Sequence, residues 1–279
     1  MNQLPKAIII TLAGFYLASC GKTPAQAQAP SQPPVSPIKT EDTVETDTYQ
    51  GFRFKDITGR CYSQEFIKSF SYRSSQVTFE FRDRGSSNMV IQVTAAGLKP
   101  NFAYQVKFIG DPAESTTNER LGHMGRWWRV KPNPGNALDD DHNAHKDDPN
   151  YAYIGYLVMG FFVTDDKGAA HATLQAANSF HVLWRTNQRK PEGNDGLPLR
   201  IILPEAKDHY AYSGFVPTRE VLLYGEWEPT RVTPGKLEMP SGQYRCNLVL
   251  TEESFHDKGR LAGQWAHALW FPQDFEILP

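Results

Sequence analysis

From about residue 50 onward, apolar side chains recur at every second position far more often than at helical spacing. Residues 76–82 (QVTFEFR) place Val77, Phe79 and Phe81 between polar neighbours, the alternation of a strand with one buried face. Residues 88–95 and 102–109 repeat the pattern, the second with Tyr104, Val106 and Phe108. Residues 151–163 are nearly continuously apolar and aromatic. They run into Thr164-Asp165-Asp166-Lys167-Gly168, a turn whose glycine can take positive φ, and the chain returns at 171–174. Residues 180–185, 199–203, 220–227, 244–251 and 263–271 carry the same signal. One helical turn is expected at 251–256, with Thr251 as its cap. About ten strands without strand–helix alternation predict an all-β fold, a sandwich.

One local motif narrows that expectation. In Gly97-Leu98-Lys99-Pro100-Asn101-Phe102-Ala103-Tyr104, a leucine is followed two residues later by proline and six residues later by tyrosine. Leu98, Pro100 and Tyr104 resemble the tyrosine corner of immunoglobulin and fibronectin III-like β-sandwiches. The resemblance implies that the Tyr104 hydroxyl bonds upstream backbone and pins a crossover between sheets. It covers only residues 88–109, and the rest of the body is too long for one such module of ~100 residues. An enlarged sandwich, or two packed sandwiches, is therefore expected.

The N-terminus has a different character. Lys6 precedes an apolar run at residues 7–17, about half of the ~20 residues that a membrane-spanning helix needs. It has the size of a signal-peptide core. The run ends in Leu17-Ala18-Ser19-Cys20, which resembles the bacterial lipoprotein signal, a large apolar residue and two small ones before cysteine. That resemblance implies cleavage before Cys20 and acyl chains such as palmitate on it, anchoring the chain to a membrane of the cell envelope. Several chains hold far better than one, at about 0.8 kcal/mol per buried methylene. Gly21 after the cysteine, in place of aspartate, resembles sorting to the outer membrane. Residues 20–49 hold prolines 24, 30, 33, 34 and 37 and then an acidic, threonine-rich stretch, which reads as a solvated, disordered tether. The expected organisation is a signal at 1–19, a linker at 20–49 and a body at 50–279 with an acidic insertion near 132–150.

Composition removes some alternatives. Lys+Arg 29 against Asp+Glu 31 leaves the chain near neutral, so no electrostatic case exists for a nucleic-acid partner. With Cys20 acylated, Cys61 and Cys246 remain, and an even pair in an oxidising compartment predicts a disulfide worth at most ~5 kcal/mol.

Candidate chemistry is concentrated in one stretch. Residues 132–150 (PNPGNALDDDHNAHKDDPN) place Asp139, Asp141 and Asn143 at alternate positions, a spacing of hard oxygen ligands that suits Ca²⁺. His142 and His145 add softer donors for a transition metal. A plain solvated acidic loop is the competing interpretation. Just upstream, Trp127 and Trp128 are candidates for stacking on a sugar. If they lie on a strand they face opposite ways, and only one can join a platform. Glu226 and Glu228 flank Trp227 about 7 Å apart along a strand, a spacing that could serve a glycosidase acid and base. Nucleotide-binding, serine-hydrolase and zinc-protease motifs are missing from the sequence. The expectation is a lipid-anchored, non-catalytic binding or structural module whose partner is a glycan or another envelope protein. A calcium-dependent carbohydrate-binding module and an envelope glycoside hydrolase are the alternatives.

Overall fold

The computed structural model describes residues 55–175, 180–184, 198–227, 237–253 and 265–279, all within the unit Ile38–Pro279. The expected signal, Cys20 and the expected tether lie outside the described residues. In chain order the elements are α1 (Gln64–Ser69), β1 (Val77–Gly85), β2 (Asn88–Ala95), β3 (Ala103–Gly110), α2 (Ser115–Met124), β4 (Arg126–Lys131) and β5 (Gly135–Ala137). They continue with α3 (Asp139–His145), β6 (Ala152–Val163), β7 (Ala170–Gln175), β8 (Phe180–Trp184), β9 (Pro198–Leu203), β10 (Arg219–Trp227), β11 (Gly242–Glu253) and β12 (Trp265–Ile277).

The strands form three sheets with orders β1-β2-β7, β8-β10-β9 and β12-β11-β3-β6-β4-β5, and every neighbouring pair in them is antiparallel. The main core lies between the first sheet and the six-stranded one. Val77, Phe79, Met89, Ile91 and Val93 meet Tyr104, Val106, Phe108, Leu157, Leu248 and Phe271 there. These are the inward positions of the period-two pattern, and burying each large side chain contributes roughly 1.5–3 kcal/mol. On β3 the opposite parity faces the β8-β10-β9 sheet, where Ala103 packs with Leu203, Val221 and Ile57.

Among the described residues the fold is mixed α/β, with 15% helix and 50% strand and three helices packed into the sheet core, which corrects the expected all-β sandwich. The helices escaped the apolar pattern for a physical reason. In α2 the buried positions are Thr117, Asn118, Leu121, Gly122 and Met124, so only two large apolar groups mark its inner face. Close approach takes the place of bulk. A Cβ on Gly155 of β6 would sit 2.1 Å from the Asn118 carbonyl and 2.4 Å from the Gly122 nitrogen. Asn118 bridges the same contact, its Oδ1 accepting from Gly155 N–H at 2.7 Å and its Nδ2 donating to the Tyr153 carbonyl at 3.2 Å.

The expected disulfide is also corrected. Cys61 is exposed, Cys246 is buried, and both are free thiols. Cys61 lies beside Tyr62, whose hydroxyl donates to the Pro100 carbonyl, just before β3 begins. Cys246 pairs in register with Gly110 at the other end of β3. Seven steps of ~3.4 Å separate those ends, about 24 Å, whereas a disulfide needs Cα atoms within about 7 Å. Burial, with the Asp274 charge adding to it, pushes the Cys246 thiol well above the usual range. Thr251, expected to cap a helical turn, is instead a strand residue paired with Gln105 and His267. Residues 254–256 of that expected turn lie outside the described residues.

At the β2–β3 link the Lys99 N–H donates to the Tyr104 hydroxyl at 3.1 Å, with Leu98 fully buried beside it. The Lys99 side chain turns inward and pairs with Glu252 of β11. No helix among the described residues is long and apolar enough to cross a membrane.

Candidate functional site

The acidic run is helical and not a loop. Asp139, Asp140 and Asp141 occupy the first turn of α3, where negative charge opposes the exposed N–H groups of the helix end and stabilises it. Helical geometry then sends the carboxylates to different partners. Asp139 Oδ1 accepts from Trp127 Nε1 at 2.8 Å and lies 2.9 Å from His123 Nδ1. Asp141 accepts from Arg129 Nη1 at 3.2 Å and from the Tyr153 hydroxyl at 2.9 Å. Among the described residues, no three His, Cys, Asp or Glu side chains are grouped to hold a metal ion. Asn143 is exposed on the outer side of the helix.

What the helix does assemble is a ring cluster near the β4–β5 end of the six-stranded sheet. Trp127 is 0% exposed; a Cβ on Gly122 would lie 2.3 Å from its ring. His142 of α3 lies flat on the indole, with centroids 3.6 Å apart and planes at 6°. His123 and Tyr153 meet the His142 imidazole edge-on, at 5.7 Å and 5.2 Å. Further out, His145 stacks on Tyr151 at 4.0 Å and 9°, and Tyr151 lies nearly parallel to Tyr153 at 6.2 Å. His145 Nδ1 is 2.9 Å from the Asp141 carbonyl, which fixes its ring. Trp128, one residue from Trp127, pairs with Asn136 and Ile154 and is half-buried on the opposite sheet face.

Electrostatics divide the cluster into an inner and an outer part. His142 is 6% exposed and its Nδ1 finds no partner among the described residues. Burial lowers its pKa, with the neighbouring His123 acting the same way and Asn143, Glu119 and Asp139 opposing. The inner imidazole is therefore neutral at pH 7. Burial, and after it the bond to Asp141, pushes the Tyr153 phenol up to about 12. The outer groups are accessible: the His123 side chain is 44% exposed and that of His145 34%. His123 and Asp139 form an imidazole–carboxylate pair held through Nδ1, the arrangement of a general acid–base couple.

Sequence reasoning named Asp139, Asp141, His142, His145 and Trp127, which the structure brings together, and Trp128 and Asn143, which it leaves outside. It missed His123, Arg129, Tyr151 and Tyr153. A usable signal was the i, i+3, i+6 spacing of Asp139, His142 and His145, which places them on one helix face. Glu226 lies on β10, opposite His181 in register; Glu228 and the Glu226 side chain lie outside the described residues.

No protein-family model matches the chain, and no curated protein or solved structure shows a match to it.

Proposed function

We propose that the protein is an acylated envelope lipoprotein whose body is a non-catalytic glycan-binding module, with the surface around α3, β4 and the start of β6 as its binding surface. The observation that carries the binding role is the outer ring stack of His145 on Tyr151, partly open to solvent beside the Arg129–Asp141 pair. Flat ring faces with charged hydrogen-bonding groups at their rim fit the alternating apolar and hydroxyl surfaces of a sugar. Anchorage is supported by Leu17-Ala18-Ser19-Cys20 and the proline-rich stretch behind it. A tether of some thirty residues would give the body about 30 Å of reach, at ~5–6 Å times the root of its length.

Retention on insoluble peptidoglycan and envelope polysaccharides tests the binding role. Tyr151→Ala and His145→Ala should each weaken retention at least tenfold, while Trp128→Ala leaves it unchanged. Equal retention of all four proteins, or none by the wild type, would refute it. A second reading, an acid–base enzyme, is favoured by the His123–Asp139 pair alone. Turnover of any glycoside or ester that disappears in His123→Gln would establish it in place of the first.

A further inference from the structure

We infer that Lys99 and Glu252 are joined by an intramolecular isopeptide bond in the mature protein. Lys99 Nζ lies 2.7 Å from Glu252 Oε1, and their side chains are 2% and 1% exposed. Three rings surround the amine, with centroids at 4.6 Å for Phe102, 5.8 Å for Tyr72 and 5.9 Å for Phe70. The Tyr72 hydroxyl donates to the same Oε1 and also lies 3.1 Å from the Tyr104 hydroxyl. Amine, carboxyl and a proton-carrying hydroxyl thus converge in a site that excludes bulk water.

Each part of that setting favours condensation. Low polarity penalises the ammonium–carboxylate form and favours the neutral amine and acid, which are the forms that react. The fold holds nucleophile and electrophile in contact across 153 residues of chain. Well-oriented intramolecular partners reach effective concentrations of about 10⁵–10⁸ M. Burial raises the Tyr72 phenol above its ordinary range, so the hydroxyl is protonated at rest, and its contacts with Glu252 Oε1 and the Tyr104 hydroxyl place that proton beside the departing oxygen. In the step itself, the ammonium passes one proton to the carboxylate. Nζ then attacks Cδ, forming the Nζ–Cδ bond. The Cδ–Oε1 bond breaks as Tyr72 gives its proton to the departing oxygen and recovers one from Nζ. One amide and one water result, and no oxidant or reductant takes part. The product ties the β2–β3 link, beside the Tyr104 corner, covalently to β11.

Peptide mapping of the purified full-length protein, reduced and denatured before digestion, is decisive. Trypsin releases residues 85–107, uncut at Lys99 because proline follows, and residues 246–258. The expected result is one branched species whose mass is the sum of the two peptides less one water, with fragment ions placing the link at Lys99 and Glu252. Recovery of both peptides separately at full mass overturns the proposal. Lys99→Arg keeps the charge but should abolish the branched species; its persistence would place the link elsewhere. Tyr72→Phe keeps the ring and should reduce the linked fraction in freshly expressed protein at least tenfold, whereas an unchanged fraction would refute the proton-relay role.

Discussion

Replacing Gly155 by alanine probes how α2 is seated on the six-stranded sheet. The new methyl would stand 2.1 Å from the Asn118 carbonyl oxygen, 2.4 Å from the Gly122 nitrogen and 2.8 Å from the Gly122 Cα. All three are backbone atoms of the helix, so no side chain can rotate away; the helix itself has to lift. Overpacking of this kind costs about 1–3 kcal/mol. Lifting the helix also stretches the buried bond from Gly155 N–H to Asn118 Oδ1, now 2.7 Å, which is worth about 1 kcal/mol. The total expected loss is roughly 2–4 kcal/mol, or about 4–16 °C in Tm for a body of this size. Gly135→Ala is the control, because nothing lies within 4 Å of its added methyl. Urea unfolding followed by tryptophan fluorescence measures both. A Gly155→Ala midpoint within error of wild type would refute the close-packed seating of α2.

Other expectations follow from the same geometry. Because burial lowers the folded-state pKa of His142, its neutral form gives full stability above about pH 6.5. As pH falls below that value the unfolded chain takes up the proton first and stability declines; urea midpoints at pH 8 and pH 5 should therefore differ more in wild type than in His142→Gln, and identical differences would contradict this. Asp56 is 1% exposed and accepts from the Thr58 and Arg60 backbone N–H groups, the Thr58 hydroxyl and the Tyr212 hydroxyl, so Asp56→Ala should cost about 2–4 kcal/mol by thermal melting and Asp56→Asn less. In a Cys20→Ser background, maleimide should label Cys61 in the native protein and Cys246 only after unfolding, with or without reductant; a reductant-dependent count would restore the disulfide. Tyr153→Phe removes the hydroxyl that donates to Asp141 and should loosen α3, seen as faster hydrogen exchange of its amides with little change in β11.

Strands were legible because burial on one face writes itself into the sequence: Val77 and Phe79 point inward exactly as often as the pleat requires, at every second residue, and register follows from it. Helices were not, because neither α2 nor α3 carries an apolar stripe. The first trades bulk for close approach at Gly122 and Gly155, and the second is held by charge and stacked rings. An acidic triplet before two histidines has the same composition whether it wraps a cation or starts a helix. Only backbone geometry separates the two, since alternate residues converge in a loop and diverge by about 200° on a helix. Tyr151 and Tyr153 were concealed by the strand they belong to or adjoin, where aromatic residues are ordinary. Cysteine parity failed because an even count carries no information about distance, and β3 stands between Cys61 and Cys246.

Membrane fractionation of cells expressing wild type and Cys20→Ser, with a labelled fatty acid in the medium, tests the anchored-lipoprotein claim most directly. The account predicts that wild type carries the label and sediments with the envelope, while Cys20→Ser carries none and is recovered in the soluble fraction. An unlabelled wild-type protein, distributed between fractions just as Cys20→Ser is, would contradict it.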